Sequence, residues 1–533
     1  MATRRDRTIR RGVALLASGA LVLGACSSDD DASTSATAPP EATDDVVAGA
    51  ASGSAVELSD ASRGAVSAFD LATGASESVV YCQSPDGTTQ SAFSSAVTIP
   101  GADPVGAGGA SQLTLWRSPD GATVLTEADA EYHLIDVATG ADQDLGPVGL
   151  SSIVGFAADS SRLAYVTDDG STTTLSAIAL GVEGAAPVEL TTSQVQLEVP
   201  VTSDGSHVVF AAGSGSAGDL ATLGYVATEG GPVTTLATAP EGQQIAYLEL
   251  SDDDRTVLYV TAEGQSGAWA WTVPVDGGDA VQLGEAQWAT FAPDDTTVVL
   301  TTFTGGRNLL FSAPADGSSQ PTRIGGTDQD VENDDAILFS ADGSTVVYFA
   351  AVGDDGAVFA APLDGSSAPT PLNGDVDVDA ANPVLVAGDH VVFSGGAQAA
   401  EAGPPATAAA RAGDAPVVGT PCAAMPVPPQ AFTLYASPLA GGTPVALTGD
   451  QPKTADYVAS PDGSLVGFTG DDGSGQAGAF VVATASPDAV TRVGGPGTDP
   501  ASPRFTEDGQ HLVFVLDPGT GSAALLSAAV PSP

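Results

Sequence analysis

Lysine is almost missing from this chain. Lys453 is the only one among 533 residues, and 15 basic side chains face 66 acidic ones. Five of the bases (Arg4, Arg5, Arg7, Arg10, Arg11) and one acid sit within the first eleven residues, which leaves ten bases against 65 acids elsewhere. A surface of that sign repels phosphate backbones, so nucleic-acid binding is excluded as a function class. What remains for the charge is solubility, cation binding or a basic partner. The helix-favouring residues Glu, Lys and Arg are scarce. Val, Thr, Ala and Gly dominate, with 64 Gly and 37 Pro, a mix that reads as strands and turns. No Gly-x-Ser-x-Gly occurs, so the nucleophile elbow of serine hydrolases is missing. Cysteine is limited to Cys26, Cys82 and Cys422, and histidine to four residues.

What is present begins at the N-terminus. An Arg-rich start is followed by an apolar stretch of about 14 residues, Gly12 to Ala25. That is too short for a bilayer of ~30 Å and suits a signal-peptide core. Leu23-Gly24-Ala25-Cys26 resembles the lipobox of bacterial lipoproteins. The resemblance implies a signal peptide over residues 1–25 and diacylation of Cys26, which becomes the first residue of the mature chain. It also implies anchorage at the outer face of the cytoplasmic membrane. Arg10-Arg11 matches part of a twin-arginine signal, so export by that route or the general secretory route stays open. Residues 26–63 are dominated by Ser, Asp, Thr, Ala, Pro and Gly without apolar periodicity, the composition of a disordered tether.

From residue 64 onward one corner keeps returning. It reads Ser118-Pro119-Asp120-Gly121 and Ser460-Pro461-Asp462-Gly463, with looser copies at 203–205, 292–295, 341–343 and 507–509. Pro presets φ, Asp bonds back to the backbone and Gly accepts positive φ, and the apolar run that follows is a strand leaving a hairpin. One unit shows four strands in order: 246–250, 257–260, 268–273 and 281–283. Four short strands per ~40–50 residues is the spacing of propeller blades. The units resemble TolB-type and WD-like propeller repeats of bacterial envelope proteins and the non-catalytic propellers of prolyl oligopeptidase relatives. The plan resembles that of LpqB-type lipoproteins without their extra domain. The expectation is therefore an all-β fold over residues 64–533. It is a single large propeller of eight blades, with seven to nine open, and carries a low-complexity insertion at 395–430. Both termini should share the closing blade, with Val66 to Leu71 or Val79 to Tyr81 as the N-terminal strand.

Chemistry-bearing residues are few. His207, His390 and His511 hold one repeat position just after the corner, where Arg162 and Arg255 stand in other units, so they read as polar strand starts. Asp70 to Gly74 and Asp136 to Gly140 match Asp-x-x-Thr-Gly of quinoprotein repeats without the Trp, and read as hairpin turns. Asp375, Asp377 and Asp379 alternate like the start of a calcium loop, and calcium is the one cofactor they suggest. Cys82 and Cys422 are the thiols left once Cys26 is lipidated, and ring closure would bring their units close, so a disulfide between them is expected. Function reads as a lipid-anchored binding or scaffold module, monomeric, for an envelope protein or glycan. The alternative is an envelope glycosidase or lyase with carboxylates on one propeller face.

Overall fold

The computed structural model describes most of residues 55–531; residues 1–54, 396–419 and 422–431 and several shorter loops lie outside the description. Every regular element among the described residues is a β-strand, and all the sheets are antiparallel. Ten sheets follow one another along the chain, each built on a path of four strands. We number them as blades: 1 (65–110), 2 (113–147), 3 (154–191), 4 (194–238), 5 (244–285), 6 (288–323), 7 (329–371), 8 (385–446), 9 (453–492) and 10 (500–529). Blades 2 and 7 each carry one additional short strand, Thr420–Pro421 and Leu338–Phe339. The fold is an all-β propeller.

Blade 5 shows why this sequence makes blades. Its strands are Gln244–Leu250, Thr256–Ala262, Ala268–Pro274 and Val281–Glu285. Val257-Leu258-Tyr259-Val260 lacks the polar alternation of a half-exposed strand because neither face sees water. Val257 and Tyr259 pack toward blade 4, while Leu258 and Val260 pack toward blade 6. Strands buried on both faces read as continuous apolar runs, whatever their direction. Burying each such side chain is worth roughly 1.5–3 kcal/mol.

The same two-sided packing closes the ring. Ten apolar clusters each join one blade to the next, from blades 1–2 through blades 9–10. The last one joins blade 10 back to blade 1 through Val513, Val515 and Leu525 against Phe69, Val79 and Tyr81. Blade 10 takes three strands from the C-terminal end, Pro500–Phe505, His511–Leu516 and Ala524–Ala529. Its fourth comes from the N-terminal side, Val56–Glu57, paired Val56 to Ser527 and Glu57 to Leu526. Leu58 N donates to Leu525 O (2.8 Å), Ser59 Oγ accepts from Leu525 N (3.0 Å), and Tyr81 Oη donates to Leu58 O (3.1 Å).

Two expectations are corrected here. Ten sheets among the described residues exceed the eight blades expected, and the seven to nine allowed. Counting corners that follow a first strand misses blade 1, whose Ser84-Pro85-Asp86-Gly87 comes after its second strand, and undercounts at blade 8, whose first turn is the short Ala387-Gly388-Asp389. The closing strand is Val56–Glu57, inside the stretch that composition assigns to the tether. Ala65–Leu71 and Ser78–Ser84 are instead the first two strands of blade 1.

Candidate functional site

Two features stand out against the repeat. The first is the face that carries the corners. Within a corner, the Ser or Thr hydroxyl donates to the Asp carboxylate two residues on: Ser118 to Asp120 (2.7 Å), Thr202 to Asp204 (2.8 Å), Ser251 to Asp253 (2.7 Å), Ser340 to Asp342 (2.6 Å), Ser460 to Asp462 (2.7 Å) and Thr506 to Asp508 (2.7 Å). The same carboxylate accepts a backbone N–H further along, as Ser206 N does to Asp204 and Ser344 N to Asp342. At Asp204, Asp342 and Asp462 these bonds hold the charged form. Asp204 is drawn down to about 2, first by the Ser206 hydroxyl, and Asp342 to about 2, first by the Ser340 hydroxyl. Asp204 and Asp342 therefore stay ionised at any physiological pH.

The fourth corner residue ties neighbouring blades together. It lies at positive φ in every corner: Gly121, Ser160, Gly205, Asp254, Asp295, Gly343, Gly463 and Gly509. Where it is not glycine it receives a bond from the preceding blade. Ser160 Oγ accepts from Asp120 N (2.9 Å). Asp254 Oδ2 accepts from Ser203 N (2.8 Å) and Ser203 Oγ (2.5 Å). Asp295 accepts from Asp252 N (2.9 Å) and Asp253 N (3.1 Å). Where it is Gly343 or Gly463, the neighbour is simply close, with Pro293 3.3 Å from where a Cβ would stand in one case and the Gly388 backbone directly in its place in the other. The result is an acidic arc of corners on one face, over blades 2 to 7 and blades 9 and 10, with hydrogen bonds joining blade 2 to 3, 4 to 5 and 5 to 6.

The second feature is the seam. Bulges interrupt the first strands of blades 9, 10 and 1 in succession, at Thr454/Asp456, Ala501/Arg504 and Val66/Ala68. Bulges re-aim side chains and concentrate beside functional positions. Here they bring together three blades. Asp456, partly buried, accepts from Tyr457 N (2.9 Å) and from Ser502 N (3.1 Å) across the blade boundary. Ser502 itself sits at φ 55°. Burial raises the Asp456 carboxyl to about 6, against the pull of those two N–H groups and of Arg504. The Arg504 guanidinium lies 5.4 Å from the centre of the Phe69 ring of blade 1. A carboxyl that titrates near 6 beside an arginine is able to accept or release a proton near neutral pH, or to orient a polar ligand. Blade 2, next along, carries the insertion's strand on its innermost edge, with Thr420 opposite Leu115 and Pro421 opposite Thr114.

The residues singled out from sequence fall as follows. Cys26, Cys422 and Asp379 lie outside the described residues. Cys82 is fully buried in the second strand of blade 1 and is disulfide-bonded. Asp375 and Asp377 are exposed on the link between blades 7 and 8, and no three His, Cys, Asp or Glu side chains converge on a metal-sized site among the described residues. His207, His390 and His511 each open a second strand, in blades 4, 8 and 10, as their repeat position implies. Two of them have local partners: His207 stacks on Tyr225 at 4.5 Å, and His390 Nδ1 pairs with Asp389 (2.6 Å). Asp136 takes Thr139 N and Oγ1 in a hairpin turn, as read. Asp456 and Arg504 were missed. Their signal was a carboxylate in a first strand, Asp456 before Tyr457-Val458-Ala459, and one of only ten bases beyond residue 11.

No family model matches the chain, and no curated protein does. Among solved structures, it is similar to an oligogalacturonate lyase in complex with manganese, at 13% identity over 56% of this chain and 96% of that one, TM-score 0.34. It is similar to TolB from Acinetobacter baumannii at 17% identity, covering 49% and 63%, so it spans under two thirds of that protein, with TM-score 0.28. It is also similar to a eukaryotic initiation factor, at 13% identity over 85% and 90%, TM-score 0.42. The fold assignment rests on the ten sheets themselves.

Proposed function

We propose that this chain is a lipid-anchored propeller of the cell envelope that binds a protein or glycan partner through the face bearing its corners. The observation that carries the reading is the acidic arc: eight corners whose acidic residues are held by their own hydrogen bonds, three of them tied to the preceding blade through Ser160, Asp254 and Asp295. A surface already ordered before binding loses little conformational freedom on association, which favours recognition. Its sign selects a basic or cation-bridged partner. The lipobox ending at Cys26 supplies the anchor, with the mature chain held outside the cytoplasmic membrane. Cys26→Ser should release the protein or leave it unprocessed. Fractionation with membranes, unchanged and at mature size, would remove the anchor from the account. For the partner, a single lysine makes amine crosslinking uninformative, so carbodiimide coupling in intact cells is the test. Crosslinks from corner carboxylates to partner lysines are expected, and crosslinks confined to other surfaces would contradict the docking face.

A second reading is favoured by Asp456. In an envelope glycosidase or lyase, a carboxyl near pKa 6 beside Arg504 is a suitable proton donor or acceptor. On that reading Asp456→Asn abolishes turnover of a polysaccharide while leaving the corner crosslinks intact. Absence of turnover by the wild-type protein across neutral and acidic glycans would dismiss it.

A further inference from the structure

Cys82 is disulfide-bonded, and only Cys26 and Cys422 are available to it. The register of the insertion's strand discriminates between them. Thr420 stands opposite Leu115 and Pro421 opposite Thr114 in an antiparallel pair, so the insertion's strand runs toward Leu113. In an antiparallel ladder, residues directly opposite point to the same face of the sheet. Leu113 points toward blade 1, where it belongs to the cluster that contains Cys82, Val80 and Ala110. Trp116, of opposite parity on the same strand, packs toward blade 3. The insertion's strand thus ends, one residue before Cys422, beside the interface where Cys82 is buried. The insertion's strand also comes near the first strand of blade 1. Residue 26, by contrast, lies 30 positions before the closing strand Val56–Glu57, which is on the outermost edge of blade 10.

We propose that Cys82 bonds to Cys422. The bond fastens the insertion, which leaves the ring at blade 8, to the innermost edge of blades 1 and 2. It crosses the seam from the inside as Val56–Glu57 crosses it from the outside. It also leaves the Cys26 thiol free for acylation, so the inference deepens the anchored reading without depending on it. Forming the bond removes two protons and two electrons from the pair of thiols. They pass to an exchangeable disulfide of an envelope thiol oxidant, which is reduced to its dithiol. Because the link closes a long loop, reduction should loosen the inner strand before the blades.

The test is peptide mapping of protein taken from intact cells, with free thiols alkylated before lysis and digestion by trypsin without reductant. The expected product joins peptide 64–117 to peptide 412–453. Cys82 joined to the peptide that carries Cys26 overturns both this pairing and the lipid anchor. Alkylated Cys82 and Cys422 overturn the pairing alone. The pairing found with an unacylated Cys26 keeps the pairing and removes the anchor. A second measurement covers incomplete folding of a core variant: Cys422→Ser should convert Cys82 from zero to one alkylatable thiol in denaturant without reductant. If Cys82 stays blocked in that variant, the assignment is wrong.

Discussion

Asp254 is the sharpest place to test whether the corners tie the ring together. It pays for positive φ, at 60°, where glycine would be at ease, and in return its Oδ2 holds both Ser203 N and Ser203 Oγ of the preceding blade. Hydrogen bonds to a charged acceptor contribute about 1.5–3 kcal/mol each, and at this partly exposed boundary the low end applies. Asp254→Ala keeps the unfavourable φ and loses both bonds, so it should cost about 2–4 kcal/mol. Asp254→Gly loses the same bonds but relieves the backbone, and should cost about 1 kcal/mol less. A Ser203→Ala change removes only the hydroxyl donor. Combined with Asp254→Gly it should show a coupling of about 1 kcal/mol. Urea unfolding followed by tryptophan fluorescence is well placed, since Trp269 and Trp271 belong to the same blade as Asp254. Native-state hydrogen exchange adds a local readout, because loss of about 2 kcal/mol speeds exchange of the Ser203 amide roughly 30-fold. Equal stabilities of the Ala and Gly variants, no coupling to Ser203 and an unchanged amide would refute the inter-blade role.

Three further outcomes follow from the same geometry. Asp456 has its carboxyl raised from 3.8 to about 6. Its protonated form is therefore the one that the fold favours, and that stability is fully present below 3.8 and lost as pH rises through about 6. The loss is about 3 kcal/mol at most. Asp456→Asn should flatten this part of the pH–stability curve between pH 4 and 7, and an unchanged slope counts against the seam assignment. Gly463→Ala should cost about 2–4 kcal/mol, since its Cβ would meet the Gly388 backbone at φ 70°. Gly140→Ala, at φ 68° with open space around it, should cost only about 1 kcal/mol, and equal losses would contradict the close approach of blades 8 and 9. Leu58→Asp places a charge where Leu58 is fully buried between blades 10 and 1. It should open the seam and render residues 524–529 protease-sensitive, whereas native resistance would mean that the closing strand carries little.

Much of the blade is legible in residue order because its determinants are local. The corner chemistry of Ser118-Pro119-Asp120-Gly121 and the strands of blade 5 fall where composition and spacing put them. What escaped is tertiary. Val56–Glu57 is two residues long, too short to leave any periodicity, and becomes a strand only because Ala524–Ala529 offers it an edge. Asp254 and Asp295 read as ordinary turn residues, and nothing local says that their carboxylates reach another blade. The Asp456–Arg504–Phe69 group joins positions from opposite ends of the chain, so only ring closure assembles it. The Thr420–Pro421 strand is hidden for the same reason: it emerges from a low-complexity stretch and pairs with residues 114–115, some 300 positions earlier.

The central claim is one closed ring of ten blades, sealed by an N-terminal strand. An electron-microscopy or crystal structure of the mature protein tests it most directly. The account predicts ten four-stranded sheets about a single axis, with Val56–Glu57 paired to Ala524–Ala529 and blade 10 packed on blade 1 through Phe69 and Leu525. An open arc, two smaller rings, or a ring closed without residues 56–57 would contradict it.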